Sequence, residues 1–200
     1  MGEPDKVGEL SSEGSKNYSI GKYEQALENF NEIIEIRPYH VEAWYMKGCS
    51  LKILGKYEEA IPCFDEAIKF KPDHVGAWYD NGYSLHLLGR YKKAISCFDE
   101  IIKKNPDHAG AFNNKGNSLV ELGNFEEAIQ CFDEAIKIKP DDSRIFYKKS
   151  VSYASMGKVD ESLNSLKDAF SLDDAFRESA RTDNGFDKIK DDERFKKLIA

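Results

Sequence analysis

The sequence predicts an all-α fold, a solenoid of antiparallel helix pairs, and three observations predict it. The first is literal repetition. Cys63-Phe64-Asp65-Glu66-Ala67-Ile68-Lys69 returns letter for letter at Cys131 to Lys137, and with Ile101 in place of Ala67 at Cys97 to Lys103, each copy 34 residues after the last. A fixed period of this length marks a stack of supersecondary units, each buried mainly against its neighbours. The second is apolar spacing of helical period inside each copy. The third is punctuation: glycine closes one helix of each copy, and proline closes the other in the first four.

The elements follow in order. Residues 1–6 are polar and predict a frayed, flexible start. Repeats then span 7–40, 41–74, 75–108, 109–142 and 143–176, with a tail of different composition at 177–200. In the second repeat Trp44, Gly48, Leu51 and Leu54 share one helical face, so Val41–Leu54 reads as helix A. Gly55 ends it by adopting a left-handed conformation at little cost. Ala60, Phe64, Ala67 and Ile68 form the inner stripe of helix B, which Pro72 stops. Asp73 is then placed to cap the next helix. Gly48 and Ala60 let the two helices approach closely, and Trp44 and Phe64 fill the space around that contact. Glu58 and Glu59 begin helix B and Lys69 and Lys71 end it, an order that complements the helix dipole. Pro62 lies inside helix B and removes one hydrogen-bond donor there.

The same roles recur by position: Trp78, Phe112 and Phe146 for Trp44; Gly14, Gly82 and Gly116 for Gly48; Phe30, Phe98 and Phe132 for Phe64; Pro38, Pro106 and Pro140 for Pro72. With Gly-x-Tyr at Gly55–Tyr57 and Ala-x3-Phe-x2-Ala at Ala60–Ala67, this pattern resembles the tetratricopeptide repeat over nearly the whole chain. The resemblance implies a right-handed superhelix, with helices A lining a concave groove, helices B forming the outer wall, and partner peptide segments held in the groove. Repeat one departs from the pattern at Leu10 and Asn17. Repeat five departs at Ser150, Ser162, Leu166 and Asp174, which predicts looser helix packing and a helix B that runs on. The tail sets Phe176, Ala180, Phe186, Ile189, Phe195, Leu198 and Ile199 among charges. It reads as one or two helices capping the last core face, broken at Asn184-Gly185.

Composition narrows the function. A net charge of −7 argues against nucleic acid and anionic membrane as partners. No basic-then-apolar leader and no apolar run of membrane-spanning length are visible, which with free thiols points to the cytoplasm. Cys63, Cys97 and Cys131 hold one position in successive repeats, roughly 10 Å apart by helix stacking, so they read as small buried apolar residues. The same spacing separates His40, His74 and His108, so no metal site is expected. No nucleophile elbow, phosphate loop or metal-ligand spacing occurs. Neither catalysis nor a cofactor is expected.

Candidate binding residues therefore come from helix A positions that the resemblance turns toward the groove. Those selected are Tyr45, Cys49, Tyr79, Tyr83, Asn113, Asn114, Asn117, Arg144, Tyr147 and Lys148. Tyrosine offers apolar area with a hydroxyl, and asparagine can bond an extended backbone. Tyr45 and Tyr79 can equally fill the seam between neighbouring helices A. Lys52, Arg144 and Lys148 are balanced in the groove by Glu42, Asp80 and Glu121. The expected function is a non-enzymatic scaffold that binds an extended peptide. One alternative is a chaperone-associated carboxylate clamp, for which Asn114, Arg144 and Lys148 match three places of the pattern while Tyr79 and Tyr83 replace the other two. Others are a recruiting module of an enzyme complex, and self-association.

Overall fold

The computed structural model describes residues 3–200, with side chains from residue 6. The expected frayed start falls partly on residues 1–2, which lie outside the described residues; from Glu3 the chain is helical. The described residues form twelve α-helices, one 3-10 turn and no strand. They divide into two compact units, residues 1–104 and 105–200.

The first unit holds α1 (Glu3–Ser19), α2 (Tyr23–Ile36), α3 (Val41–Ile53), α4 (Tyr57–Phe70), α5 (Val75–Leu87) and α6 (Tyr91–Lys104). They pack as the pairs α1–α2, α3–α4 and α5–α6, each pair stacked on the next. The contact inside each pair is a phenylalanine edge against a glycine. A Cβ on Gly48 would lie 2.6 Å from Phe64 Cε1, and one on Gly82 would lie 2.9 Å from Phe98 Cε1. Phe64 and Phe98 are fully buried, as are Ala60 and Ala94 on the same helices B. Burying one such ring stabilises by roughly 1.5–3 kcal/mol.

The turn from helix A to helix B needs a positive φ. Gly55 adopts φ 76°, and its neighbour Lys56 bonds back to the Leu51 carbonyl at 2.9 Å. The turn from helix B to the next helix A is set differently from the expectation. His74, not Asp73, is the N-cap: its Nδ1 accepts the Ala77 amide at 3.0 Å. His40 does the same for Ala43 at 3.1 Å. The imidazole nitrogen thereby satisfies an amide that the helix start would otherwise leave orphaned. Trp44 and Trp78 tie the same loops down, their indole N–H groups donating to the Pro38 and Pro72 carbonyls at 2.7 and 2.9 Å. Helix α4 continues through Pro62, whose side faces solvent.

The second unit holds α7 (Ala109–Glu121), α8 (Phe125–Ile138), α9 (Ser143–Ser155), α10 (Val159–Leu172), α11 (Phe176–Thr182), the 3-10 turn Asn184–Phe186 and α12 (Glu193–Ile199). The α7–α8 pair repeats the contact: a Cβ on Gly116 would lie 2.6 Å from Phe132 Cε1. The α9–α10 pair does not become looser where the glycine is lost. Ser150 and Ser162 are fully buried and bond reciprocally: each hydroxyl donates to the other's carbonyl, at 2.9 and 3.0 Å. Two small residues still permit close approach, and the hydrogen bonds satisfy what they bury. Helix α10 also stops at Leu172 without a proline, because Asp173 turns to extended backbone.

The tail covers the end of this last pair. Phe186, Ile189 and Phe195 are buried with Leu163, Leu166 and Phe170 of α10 in one core cluster. Lys188 donates to the Ser155 carbonyl at the end of α9 at 2.5 Å, and Arg181 holds the carbonyls of Ile199 and Ala200. This is a cap of helical turns in which Asn184 and Gly185, expected to break the helices, instead open the 3-10 turn that follows α11.

These contacts rank three glycine substitutions by urea denaturation midpoint. Gly48→Ala, which drives a methyl into Phe64, costs about 2 kcal/mol. Gly55→Ala, which strains a left-handed turn, costs about 1 kcal/mol. Gly8→Ala in α1, where nothing lies within 4 Å, is neutral or stabilising. A midpoint for Gly48→Ala equal to wild type would contradict the close contact.

Candidate functional site

The helix A faces of the two units carry different chemistry. In the first unit a polar network joins α3 to α5. Asp80 is only 8% exposed, and three donors of α3 converge on its carboxylate. Tyr45 Oη donates to Oδ2 at 3.0 Å, Cys49 Sγ donates to Oδ2 at 3.6 Å, and Lys52 Nζ donates to Oδ1 at 2.5 Å. A carboxylate this far from water requires an opposite charge and filled lone pairs, and the network supplies both. The three donors lie one turn apart on α3, which the helical period puts on one face.

The network sets the protonation of its members. Burial pushes the Cys49 thiol up to about 12, and the Asp80 charge pushes it the same way. Burial, Cys49 and Asp80 together hold the Tyr45 hydroxyl in its neutral form. Burial works against the Lys52 charge, but its hydrogen bond to Asp80 and the carboxylate charge outweigh that and raise its pKa. The face is therefore an ion pair ringed by neutral donors, and no activated nucleophile is present in it.

Beside the network is an apolar strip. Ile53, Tyr83 and Leu87 are 44%, 39% and 43% exposed. Tyr83 and Leu87 are one turn apart on α5, and Ile53 holds on α3 the position that Leu87 holds on α5. Tyr79 is half-buried and packs edge-on to Phe98, with ring centres 6.0 Å apart.

In the second unit α7 offers Asn113, Asn114 and Asn117, all partly exposed, and α9 offers the exposed Lys148. Arg144 is exposed but engaged: its Nε and Nη2 form a fork on Asp142, at 2.8 and 2.7 Å. Asp142 caps α9, so this arginine is tied to the helix start.

Two of the expected groove residues are corrected by burial. Tyr147 is 4% exposed: the tail covers it, Phe176 stacks on its ring at 4.8 Å, and its hydroxyl donates to Asp183 at 2.9 Å. Cys49 is also 4% exposed, beneath Asp80 and Tyr45. Neither presents a surface to a ligand. Tyr45 fills the seam between helices A, as its alternative reading held. The tail thus reproduces the link between successive helices A, Tyr147–Asp183 standing where Tyr45–Asp80 stands in the first unit. Sequence reasoning set Lys52 and Asp80 against each other as groove charges but did not pair them. The available signal was their spacing, since helix A position 12 of one repeat meets position 6 of the next. Among the described residues no group of histidine, cysteine and carboxylate side chains could hold a metal, and no helix is long and apolar enough to cross a membrane.

Asp80→Ala leaves Lys52, Tyr45 and Cys49 without their acceptor and costs about 2–4 kcal/mol in denaturant unfolding. Adding Lys52→Met restores part of it, and a double-mutant cycle measures the coupling. The buried thiols also set an alkaline limit. Cys49 and Cys97 are pushed up to about 12 and Cys63 to about 11, burial being the main cause. The unfolded chain releases these protons near pH 9 and the folded chain does not. Stability is therefore fully present below pH 9 and falls as pH rises toward 11–12. A flat stability profile between pH 9 and 11 would contradict the burial of these thiols.

Comparison with known proteins agrees with this architecture. The tetratricopeptide repeat profile matches residues 41–74 and 109–142, and two further profiles of the same description match 75–108 and 143–176. Comparison with the curated proteins finds no match by sequence. Among solved structures, one of MamA superposes with a TM-score of 0.82 at 20% identity, covering 88% of this chain and 96% of that one. MamA from Desulfovibrio magneticus RS-1 gives 0.82 at 21%, covering 86% and 97%. YrrB, described as a TPR protein with an unusual peptide-binding site, gives 0.73 at 22%, covering 80% and 83%. With the glycine–phenylalanine helix pairs repeated at 34 residues, these matches show that the chain belongs to the tetratricopeptide repeat family.

Proposed function

We propose that this chain is a non-enzymatic scaffold that binds an extended segment of a partner protein along its helix A face. The observation that carries the reading is the apolar strip of Ile53, Tyr83 and Leu87 beside the Lys52–Asp80 pair. Large apolar side chains held outward on rigid helices, next to fixed polar groups, are the composition of a recognition surface. In the second unit Asn113 and Asn117 on α7 offer amides that can bond a peptide backbone. The peptide-binding site ascribed to YrrB supports the class of ligand. The carboxylate clamp has less support, because Arg144 is occupied by Asp142 and leaves Lys148 as the open cation of its pair. The four cysteines are buried and form no disulfide, which fits the reducing cytoplasm where we place the protein.

Affinity capture with wild type and with a Tyr83→Ala, Leu87→Ala variant tests the proposal. Both side chains are exposed, so folding is retained, as circular dichroism can verify. The expected result is that bound partners are lost from the variant, with affinity at least tenfold weaker for each purified one. Retention of every partner would contradict the helix A face as the binding surface.

A further inference from the structure

A second surface lies on the other helix of the last repeat. Helices α10 and α12 of the second unit enclose a cleft of about 600 Å³. This size is within the range of small ligand sites. Its floor is apolar: Leu163 is 5% exposed, and Leu198 packs half-buried on the same core cluster. Its walls carry three cations, Lys167 from α10 and Arg194 and Lys197 from α12. Asp160 is the one carboxylate in the lining, and Arg194 takes it at 2.5 Å while also holding Asp192 at 2.9 Å. Arg194 thus takes both Asp160 and Asp192, and among the described residues Lys167 and Lys197 enter no ion pair. In a chain of net charge −7, two exposed lysines beside the partly exposed Leu198 run against the general trend.

We propose that this cleft docks a short acidic segment of a partner protein, with an apolar side chain on Leu163 and Leu198 and a carboxylate between Lys167 and Lys197. Three features select this occupant. The charge surplus asks for an anion, and the leucine floor asks for an apolar group beside it. Asn164, exposed on the same wall, offers an amide that can both donate to and accept from a peptide backbone. A free inorganic anion would leave the floor unused. The acidity of the chain as a whole opposes a broad anionic membrane surface but not a local contact within a Debye length of the lysines. The cleft lies on helix B and the cap, so its occupation is independent of the helix A face.

The test is a titration of the ¹⁵N-labelled protein with a short peptide of alternating glutamate and leucine, followed by amide chemical shifts. The expected shifts map to residues 160–167 and 194–198 and weaken as salt is raised. Lys167→Glu with Lys197→Glu, both exposed, should weaken binding at least tenfold, while Tyr83→Ala leaves it unchanged. The matching lysine–leucine peptide should give no shifts at these residues. Shifts elsewhere, equal binding of the lysine peptide, or full binding by the double variant would overturn the proposal. So would equal, lysine-dependent binding of vesicles containing phosphatidylserine, which would make the patch a lipid contact.

Discussion

The structure depends on one close contact, the edge of a phenylalanine on helix B set against a residue without a side chain on helix A. At Gly14, Gly48, Gly82 and Gly116 an added Cβ would lie 2.6–2.9 Å from the ring. That distance leaves no room for any other residue unless the ring moves. It fixes the separation of the two helices, and through it the position of the next pair. Repeat five meets the same constraint with other chemistry: Leu166 stands in place of the ring, and Ser150 and Ser162, in place of glycine and alanine, bond each other's backbone. The requirement is small volume at the crossing, and the sequence can meet it in more than one way.

Because this contact holds the pairs, the helix A faces are released to vary. In the first unit the variation builds a buried ion pair, and beside it an apolar strip. In the second it builds a row of asparagines and an exposed lysine. Buried charge of this kind contributes little net stability, since desolvation offsets much of the attraction. It fixes register instead. Asp80 accepts from three residues of α3, and only one alignment of α3 and α5 satisfies all three. The Tyr147–Asp183 bond shows the same device used to seat the cap.

The repeated part of the fold was legible because each copy confirmed the others: glycine, alanine, phenylalanine and proline recurred in phase. The histidine caps were not, because histidine is an uncommon cap and Asp73, a common one, stood beside it. Repeat five was misread for a related reason. Ser150 and Ser162 look like losses one at a time, and only their contact across the pair shows them compensating. Among the candidate binding residues, helical position predicted direction but not cover. Tyr147 points where its position says, yet the tail lies over it, and no periodicity in residues 177–200 announces where they pack. Tyr83 on α5 is 39% exposed, as its helical position alone leads one to expect.

On the function proposed above, recognition resides on the helix A face around Ile53, Tyr83 and Leu87. Hydrogen exchange of the protein with and without a bound partner segment tests this most directly. The account predicts added protection concentrated in α3 and α5, where closing the exposed face damps helix opening. Protection confined to α4 and α6, with α3 and α5 unchanged, would contradict it.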